Sequence, residues 1–349
     1  MTGIQQLIAR FPRYNIDSFL VTNDINIRYL TDFPASESWL LVSPSRSFYL
    51  TDFRYILEAK KGLKGINIKR YTKSLQAAAF EAAQDLKVKR VGFDDRHISL
   101  SFFKQLKKEC PKGIQLMPIK NFVEDLREIK SVDEITQIRK ALILHRQAYE
   151  LIKKEVKPNV TEKEILNTLE NFVKSKNAGF SFPPIIASGP HSCFPHARVT
   201  DRKIRSNEPV LLDMGIDIHG YKSDLTRMIF LGRIPRFVRE AHDFVRRAQA
   251  LAIEHIQPGR RAGEIDRQAR NYLTKNRLGK FFGHSLGHGV GLEIHENPRI
   301  SPLSSTILKE GMIFTVEPAV YIPRKFGIRI EDMVLVTQQG CEVLSEHIH

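Results

Sequence analysis

Four carboxylates interrupt apolar, strand-like stretches in the second half of this 349-residue chain. They are Asp213 in PVLLDMG, Asp224 in GYKSDLTRMIF, Glu317 in GMIFTVEPAVYI and Glu331 in GIRIEDMVLVT. Strands that bury Leu, Ile, Val or Met would carry these anionic groups into the interior, where an unpaired carboxylate is very costly. Because two divalent cations would neutralise four charges that otherwise repel each other or take up protons, the pattern predicts a metal site.

A histidine completes the candidate ligand set. His288 lies in GHSLGHGVGLEIHE, between glycines that let the backbone and a substrate approach closely. One carboxylate in a strand is more often a bulge, an edge or the partner of an arginine. Two Asp, two Glu and one His together are typical of a hydrolase site with two divalent metals.

The composition allows a second class of function. A net charge of +15 and a pI near 9.7 would suit a protein that binds nucleic acid or an anionic surface. Lys and Arg are nevertheless spread along the whole chain, without a nucleic-acid-binding motif beside them, which is typical of a solvated surface. The three cysteines are distant from one another and lack C-x-x-C spacing, which predicts reduced thiols. No apolar run is long enough to cross a bilayer, and we expect a cytoplasmic protein.

The first third of the sequence has the pattern of a small α/β domain. DSFLVTN, SWLLVSP, SFYLTD and RVGFDD are predicted strands, and LQAAAFEAAQDLK and SLSFFKQLKKE are predicted helices between them. The character changes near Ser131, which forms a capping box with Glu134 and opens a long helix. A second box, Thr161 with Glu164, opens another helix, for which Gly179 is the expected C-terminal cap.

Strands that carry the carboxylates are predicted to pair as hairpins. Asp213 and Asp224 flank a turn at His219 and Gly220, and Glu317 and Glu331 flank a turn containing Pro323 and Gly327. Strand periodicity places three polar side chains on the faces of these carboxylates, where they could orient them by hydrogen bonds: Thr226 with Asp224, Thr315 with Glu317, and Arg329 with Glu331. Two further helical segments, REAHDFVRRAQALAIEHI and AGEIDRQARNYLTKN, lie between the hairpins and indicate an internal two-fold repeat.

These blocks resemble the pita-bread metallopeptidases, which include Xaa-Pro aminopeptidase (aminopeptidase P), Xaa-Pro dipeptidase (prolidase) and methionine aminopeptidase. LLDMGIDIHGYKSDLTR, GHSLGHGVGLEIHE, FTVEPAVYIP and GIRIEDMVLV are similar to the four signature blocks, and SGPHSCFPHARVTDRKI to the block of the substrate histidine. NIRYLTDF and YLTDFRY are similar to the creatinase/prolidase N-terminal domain, which methionine aminopeptidases lack, so the resemblance favours the Xaa-Pro branch. Ala319 replaces an expected Gly and leaves the ligand positions unchanged.

The resemblance implies an α+β fold, with a creatinase/prolidase-like α/β domain over residues 1–124 and a pita-bread catalytic domain with a pseudo-two-fold helix and hairpin repeat over residues 125–349. It also implies that Asp213 binds one metal, that His288 and Glu317 bind the other, and that Asp224 and Glu331 bridge both. Manganese is the expected metal, with cobalt, zinc or iron as alternatives.

The resemblance further implies hydrolysis of the bond between an N-terminal residue and a following proline, by a hydroxide that bridges the metals. Glu317 would be the general base, His196 and His295 would steady the substrate carbonyl and the oxyanion, and His284 would line the pocket. Arg329 and Thr226 would support the ligands. A homodimer without membrane or nucleic-acid partners is expected, and the alternative is a non-catalytic pita-bread protein that binds protein or nucleic acid through its basic surface.

The sequence leaves the choice between dipeptidase and aminopeptidase open. A dipeptidase must bind the free carboxylate beside the proline ring, whereas an aminopeptidase must leave that side open. The basic residues that could bind this carboxylate are Arg198, Arg202, Arg324 and Lys325.

Overall fold

A computed structural model describes residues 2–348. The chain divides into two compact units, of which the first ends at Arg127 and the second begins at Glu128. Every helix within residues 2–348 is too short or too polar to span a lipid bilayer.

The first unit is organised around a mixed β-sheet. Its strands are β1 (Ser18–Val21), β2 (Trp39–Val42), β3 (Phe48–Thr51), β4 (Asn67–Arg70), β5 (Arg90–Asp94) and β6 (Gln115–Ile119). The strands lie in the order β4-β3-β2-β1-β5-β6, with β1, β2 and β3 antiparallel and the remaining neighbours parallel. The four predicted strands are confirmed as β1, β2, β3 and β5, whose residues are almost all buried.

The helices of the first unit cover both faces of this sheet in the βα pattern that the sequence predicts. They are α1 (Gly3–Ala9), α2 (Phe11–Tyr14), α3 (Asp24–Thr31), α4 (Ile56–Gly62), α5 (Leu75–Asp85), α6 (Leu100–Glu109) and α7 (Glu124–Arg127). The two predicted helices are confirmed as α5 and α6, and each begins after a serine whose side chain accepts a hydrogen bond from a backbone N–H of the first turn.

Two pairs of helices frame the second unit. They are α8 (Val132–Glu155), α9 (Glu162–Ser175), α10 (Arg236–Glu254) and α11 (Ala262–Lys275). Both predicted capping boxes are present, at Ser131 before α8 and at Thr161 before α9. The expected cap at Gly179 is wrong, because the chain leaves α9 through Asn177 in the left-handed region (φ 53°), and Gly179 already pairs with Asp217 in a strand.

The strands of the second unit form several small sheets. They are β7 (Gly179–Phe180), β8 (Ile185–Ser188), β9 (Pro209–Met214), β10 (Ile216–Ile218), β11 (Tyr221–Lys222), β12 (Leu225–Phe230), β13 (Gly287–Gly289), β14 (Glu296–Ile300), β15 (Ile313–Val316), β16 (Ala319–Ile322), β17 (Phe326–Arg329), β18 (Asp332–Thr337) and β19 (Gly340–Val343). Their sheets have the orders β11-β10-β7, β12-β9-β8, β14-β13-β15-β18-β19 and β16-β17.

The first predicted hairpin forms around His219 and Gly220. Both residues have positive φ (50° and 80°), as a two-residue turn between antiparallel strands requires, and β10 and β11 pair across them. Below this turn, β9 pairs with β12 so that Asp213 lies opposite Thr226. The hairpin therefore brings Asp213 and Asp224 to one end of the β8-β9-β12 sheet.

The second hairpin repeats this plan with β15, β16, β17 and β18. Glu317 lies between β15 and β16, and Glu331 lies between β17 and β18. The sequence interpretation of four carboxylates inside strands therefore needs correction, since only Asp213 lies within a strand and the other three occupy breaks where the chain changes sheet. Helices α8 and α9 pack on the core beneath the first hairpin, and α10 and α11 pack on the core beneath the second. The predicted α+β fold with a helix and hairpin repeat is confirmed.

Candidate metal centre

Three predicted ligands converge where the two hairpins meet. Asp224, His288 and Glu331 each offer a ligand atom, and these atoms all lie within 4.8 Å of one another. Asp224 is 5% exposed and Glu331 is 2% exposed. Glu317 joins the group, since its Oε1 lies 3.4 Å from Nε2 of His288, and Oδ2 of Asp224 lies 3.6 Å from the same nitrogen.

The tautomer of His288 suits a metal ligand. Its Nδ1 lies 3.2 Å from the carbonyl oxygen of Gly289. Because a carbonyl only accepts, Nδ1 carries the proton, and the lone pair of Nε2 faces Asp224 and Glu317. Burial, followed by the neighbouring His295, lowers the pKa of His288 to about 4, so the imidazole is neutral at physiological pH. Oxygen and nitrogen atoms 3.4 to 3.6 Å apart are spaced as two ligands of one ion would be.

The buried carboxyl groups are electrostatically unfavourable without cations. Burial, followed by the charges of Glu331, Asp213 and Glu317, raises the pKa of Asp224 well above its usual value. Burial, followed by the charges of Glu317 and Asp213, raises the pKa of Glu331 well above its usual value. Burial raises the pKa of Glu317 to about 8. These groups must therefore take up protons or bind cations at neutral pH.

A hydrogen-bonded chain orients two of the carboxylates. Arg329 forms an ion pair with Oδ2 of Asp213, and its Nε donates to the hydroxyl of Thr226 at 2.8 Å. That hydroxyl donates to Oε2 of Glu331, also at 2.8 Å. The structure therefore differs in detail from the expected pairs, because Thr226 contacts Glu331 rather than Asp224 and Arg329 contacts Asp213 rather than Glu331.

The third expected pair, Thr315 with Glu317, is in contact. The hydroxyl of Thr315 donates to Oε1 of Glu317 at 3.4 Å and accepts from the backbone N–H of His288 at 3.2 Å. Thr315 thus links a carboxylate to the strand that carries the histidine. Partners of this kind fix ligand orientation in metal sites.

The donor set fits divalent metal ions. Oδ1 of Asp213 is buried and lacks a hydrogen-bond partner within residues 2–348, and one ligand atom each of Asp224, His288 and Glu331 lie within 4.8 Å of one another. Carboxylate oxygens with one neutral imidazole suit manganese, iron, cobalt or zinc. These side chains are therefore better suited to bind metal ions than to share protons among their carboxyl groups.

The three other predicted histidines lie around this group. The ring centroids of His288 and His295 are 4.3 Å apart, and His196 lies close enough to Asp213, His284 and His295 to contribute to the pKa shifts of all three. His284 donates from Nδ1 to the carbonyl of Ser285 at 2.7 Å, so its Nε2 is an acceptor. Burial lowers the pKa of His284 to about 4 and also lowers that of His295.

Tyr321 is a site residue that the sequence analysis missed. Its hydroxyl accepts from Nη1 of Arg329 at 2.5 Å and lies 3.5 Å from Nε2 of His284. Burial raises the pKa of Tyr321 to about 12, so the phenol keeps its proton. Strand periodicity could have found it, since Tyr321 follows Glu317 and Ala319 at spacings of two.

One of the four candidate carboxylate-binding residues is already engaged. Arg202 binds Glu208 through two hydrogen bonds of 2.7 Å. Arg198, Arg324 and Lys325 are exposed.

A second acidic group, in the first unit, is arranged differently. Asp94, His97 and Glu124 also offer ligand atoms within 4.8 Å of one another. Oδ1 of Asn23 accepts from the backbone N–H of Asn26 at 3.0 Å, so Nδ2 of Asn23 faces Nδ1 of His97 at 3.3 Å. An amide nitrogen only donates, which leaves the proton of His97 on Nε2, directed at Oε1 of Glu124 at 2.7 Å. This tautomer is opposite to that of His288 and suits a hydrogen-bonded network rather than a metal site.

Comparisons with known proteins agree with this geometry. Residues 136–338 match the model of metallopeptidase family M24, and residues 4–129 match that of the creatinase/prolidase N-terminal domain. The chain is 36% identical over 338 residues to the uncharacterized peptidase YqhT of Bacillus subtilis (strain 168), covering 97% of this chain and 96% of that protein.

Two solved structures are similar over nearly the whole chain. One is the Xaa-Pro dipeptidase from Bacillus anthracis, with a TM-score of 0.94 and 35% identity over 99% of this chain and 97% of that chain. The other is an X-Pro aminopeptidase from Thermotoga maritima, with a TM-score of 0.89 and 32% identity over 98% of this chain and 97% of that chain. The resemblance to pita-bread metallopeptidases is thereby confirmed, and the chain belongs to metallopeptidase family M24.

Proposed function

We propose that the protein is a dinuclear-metal exopeptidase that hydrolyses the bond between an N-terminal residue and a following proline. The observation that carries the metal chemistry is the group of buried carboxyl groups around the unprotonated Nε2 of His288. Proline specificity rests on similarity to the dipeptidase of Bacillus anthracis and the aminopeptidase of Thermotoga maritima. We also propose that residues 1–124 and 125–349 are the two domains.

In this proposal, the metal ligands are Asp213, Asp224, His288, Glu317 and Glu331. Two divalent ions would lower the pKa of a bound water and polarise the peptide carbonyl. Asp224 and Glu331, with both carboxylates buried between the hairpins, would face both ions. Asp213 would be held in place by Arg329, and Glu331 by Thr226.

Glu317 would act as the general base. Its Oε1 is held by Thr315 beside His288, and its other oxygen remains available for the proton of the attacking water. His196 and His295 would then donate hydrogen bonds to the substrate carbonyl oxygen, on which negative charge develops. Both side chains are exposed, as groups that must reach a substrate require.

His284 would contact the substrate in a different way. Because its Nδ1–H is engaged by Ser285, its Nε2 can only accept a hydrogen bond. Nε2 lies 3.5 Å from the hydroxyl of Tyr321, which can supply that donor, so His284 would line the pocket in this orientation. The scissile bond itself is a tertiary amide, because its nitrogen belongs to proline and carries no hydrogen.

Hydrolysis assays test this function directly. Purified protein loaded with manganese or cobalt should cleave an Xaa-Pro dipeptide or an Xaa-Pro-Xaa tripeptide, and should not cleave matched peptides with alanine in place of proline. Comparison of the dipeptide with the tripeptide separates a dipeptidase from an aminopeptidase. Activity that survives complete chelation, or equal cleavage of the alanine peptides, would contradict the proposal.

Manganese and a homodimer, which the family resemblance implies, belong to the same proposal. Elemental analysis after purification without added metal tests the first, and light scattering coupled to size-exclusion chromatography tests the second. The competing function is a non-catalytic protein that binds through its basic surface, for which chelation should leave partner binding unchanged.

A further inference from the structure

The loop that carries His196 has both of its ends fixed by one buried carboxylate. This loop runs from Ser188, at the end of β8, to Arg202. Oε1 of Glu162 accepts from the backbone N–H of Ser188 at 2.8 Å and from its hydroxyl at 2.9 Å. Oε2 accepts from the backbone N–H of Thr200 at 3.2 Å and from its hydroxyl at 2.7 Å. Glu162 thereby closes the loop.

His191 supplies a further donor to the same carboxylate. Its Nδ1 lies 3.0 Å from Oε1 and 2.9 Å from Oε2 of Glu162, and since a carboxylate only accepts, Nδ1 carries the proton. Glu162 is 0% exposed and is the first residue of α9, whose positive end favours a negative charge. A loop conformation that released Glu162 would leave a buried carboxylate without these partners, which is strongly disfavoured.

The middle of the loop is fixed to the metal-binding half of the fold. The hydroxyl of Ser192 accepts from the backbone N–H of Gly327 at 2.8 Å and donates to the carbonyl of Gly189 at 2.7 Å. A side chain at Gly327 would lie 2.0 Å from the backbone oxygen of Ser192, so only glycine allows this approach. Nη1 of Arg329 donates to the carbonyl of Pro195 at 3.2 Å, next to His196.

We propose that Glu162 and His191 are positioning residues, which hold the loop so that His196 reaches the substrate carbonyl. This inference rests on the proposed function of His196. Neither residue need touch the substrate, because both act through the conformation of residues 188–202. Their joint effect is to set the distance between His196 and the metal ligands.

Glu164 is a matched control for Glu162. Both are glutamates in the first turn of α9, but within the part of the chain that the structure describes the carboxylate of Glu164 accepts only from the backbone N–H and the hydroxyl of Thr161, at the exposed start of the helix. Glu162→Gln and Glu164→Gln remove the same charge from the same helix end. Only Glu162→Gln forces an amide N–H against the donors of Ser188 or Thr200. The difference in activity between the two variants therefore measures the effect of the contacts between Glu162 and the loop.

For His191, asparagine is the conservative replacement. Its Nδ2 occupies the place of Nδ1 and keeps a donor toward Glu162, whereas His191→Ala removes that donor. We expect His191→Ala and Glu162→Gln to lower kcat about tenfold or more with KM changed less than about threefold, because a small displacement of a catalytic group weakens transition-state binding. His191→Asn should restore most of the lost kcat, and Glu164→Gln should match the unmodified protein.

A double-mutant cycle with His196→Ala separates positioning from a general structural role. If Glu162 acts through His196, Glu162→Gln should add little to the loss caused by His196→Ala. Additive losses would overturn the inference, and so would an effect of Glu164→Gln as large as that of Glu162→Gln.

Hydrogen–deuterium exchange on the manganese-loaded full chain supplies a readout that does not depend on activity. Exchange should rise in Glu162→Gln within residues 188–202 and remain unchanged in Glu164→Gln. Unchanged exchange in this loop would overturn the inference even in an active enzyme. Raised exchange in a protein that cleaves no Xaa-Pro peptide would instead overturn the proposed function and leave the fixing of the loop by Glu162 supported.

Discussion

The hydroxyl of Thr226 donates to Oε2 of Glu331 at 2.8 Å, and its direction is set by Arg329, whose Nε occupies the acceptor side of the same hydroxyl. Thr226 is fully buried, so water cannot replace either bond. Oε2 of Glu331 is thereby held by the protein, which fixes the direction of a carboxylate that we propose as a metal ligand.

Replacement of Thr226 tests this arrangement. Thr226→Val keeps the shape of the side chain and removes the hydroxyl, and we expect metal affinity to fall about tenfold, as for partners of metal ligands elsewhere. Thr226→Ser keeps the hydroxyl and should bind metal within about threefold of the unmodified protein. Calorimetric titration with manganese measures both, and equal affinity for the valine variant and the unmodified protein would refute the role of this bond.

The carboxyl pair of the first unit predicts a dependence of stability on pH. Burial, followed by Glu124, raises the pKa of Asp94 to about 7. Burial alone would raise the pKa of Glu124, but hydrogen bonds from His97, Asp94 and Asn26 outweigh it and lower the pKa. Below about pH 7, Asp94 therefore carries a proton that it can donate to Glu124.

The sign of the effect follows from the raised pKa of Asp94. The folded state binds this proton more tightly than the unfolded chain does, so stability is lost as pH rises from about 4 through about 7. Between pH 5.5 and 8 the loss should be on the order of 1–2 kcal/mol. Asp94→Asn, whose amide can donate to Glu124 at any pH, should remove this dependence, and the exposed neighbour variant Asp95→Asn should keep it.

Trp39 makes the measurement specific to the first unit. It is the only tryptophan of the chain and lies buried in β2, so its fluorescence reports denaturant unfolding of that unit. If the stability of Asp94→Asn and that of the unmodified protein change with pH in the same way, a group other than Asp94 causes the pH dependence.

Arg202 should not determine the choice between dipeptide and tripeptide substrates. Its guanidinium is engaged by Glu208, which is itself buried. Arg202→Met should therefore lower stability by about 1–3 kcal/mol, because it leaves the buried carboxylate of Glu208 without its cationic partner and with the backbone N–H of Arg205 as its remaining donor. The ratio of kcat/KM for an Xaa-Pro dipeptide to that for an Xaa-Pro-Xaa tripeptide should stay the same. A selective loss of dipeptide cleavage, compared with the exposed control Lys203→Gln, would show that Arg202 binds the substrate carboxylate.

Elements with a strong local signal could be predicted from the sequence. The capping boxes at Ser131 and Thr161 and the turn at His219 and Gly220 all form as predicted, because their chemistry is local. Strands β4 and β6 lie at the two edges of their sheet and were missed because β4 is mostly polar and β6 contains Pro118, which argues against a strand in sequence-based prediction. Asn177 took the place expected for Gly179, since asparagine also tolerates the left-handed region.

The site was harder to predict in its contacts than in its residues. The five candidate ligands lie around one location, but periodicity within a strand could not reveal partners from another strand. Thr226 therefore contacts Glu331 across the two hairpins rather than its sequence neighbour Asp224. The contact of Glu162 with His191 was missed for the same reason, because it joins a helix start to a distant loop.

Metal stoichiometry, measured together with hydrolysis, tests the central claim most directly. After dialysis against manganese and removal of free metal, the folded protein should hold two ions per chain and cleave an Xaa-Pro peptide. Asp224→Asn and Glu331→Gln should lose both properties, whereas Asp217→Asn, in the same hairpin but paired with Lys222, should keep them. A folded, unmodified protein that binds no metal, or full activity in the Asp224 and Glu331 variants, would contradict the account.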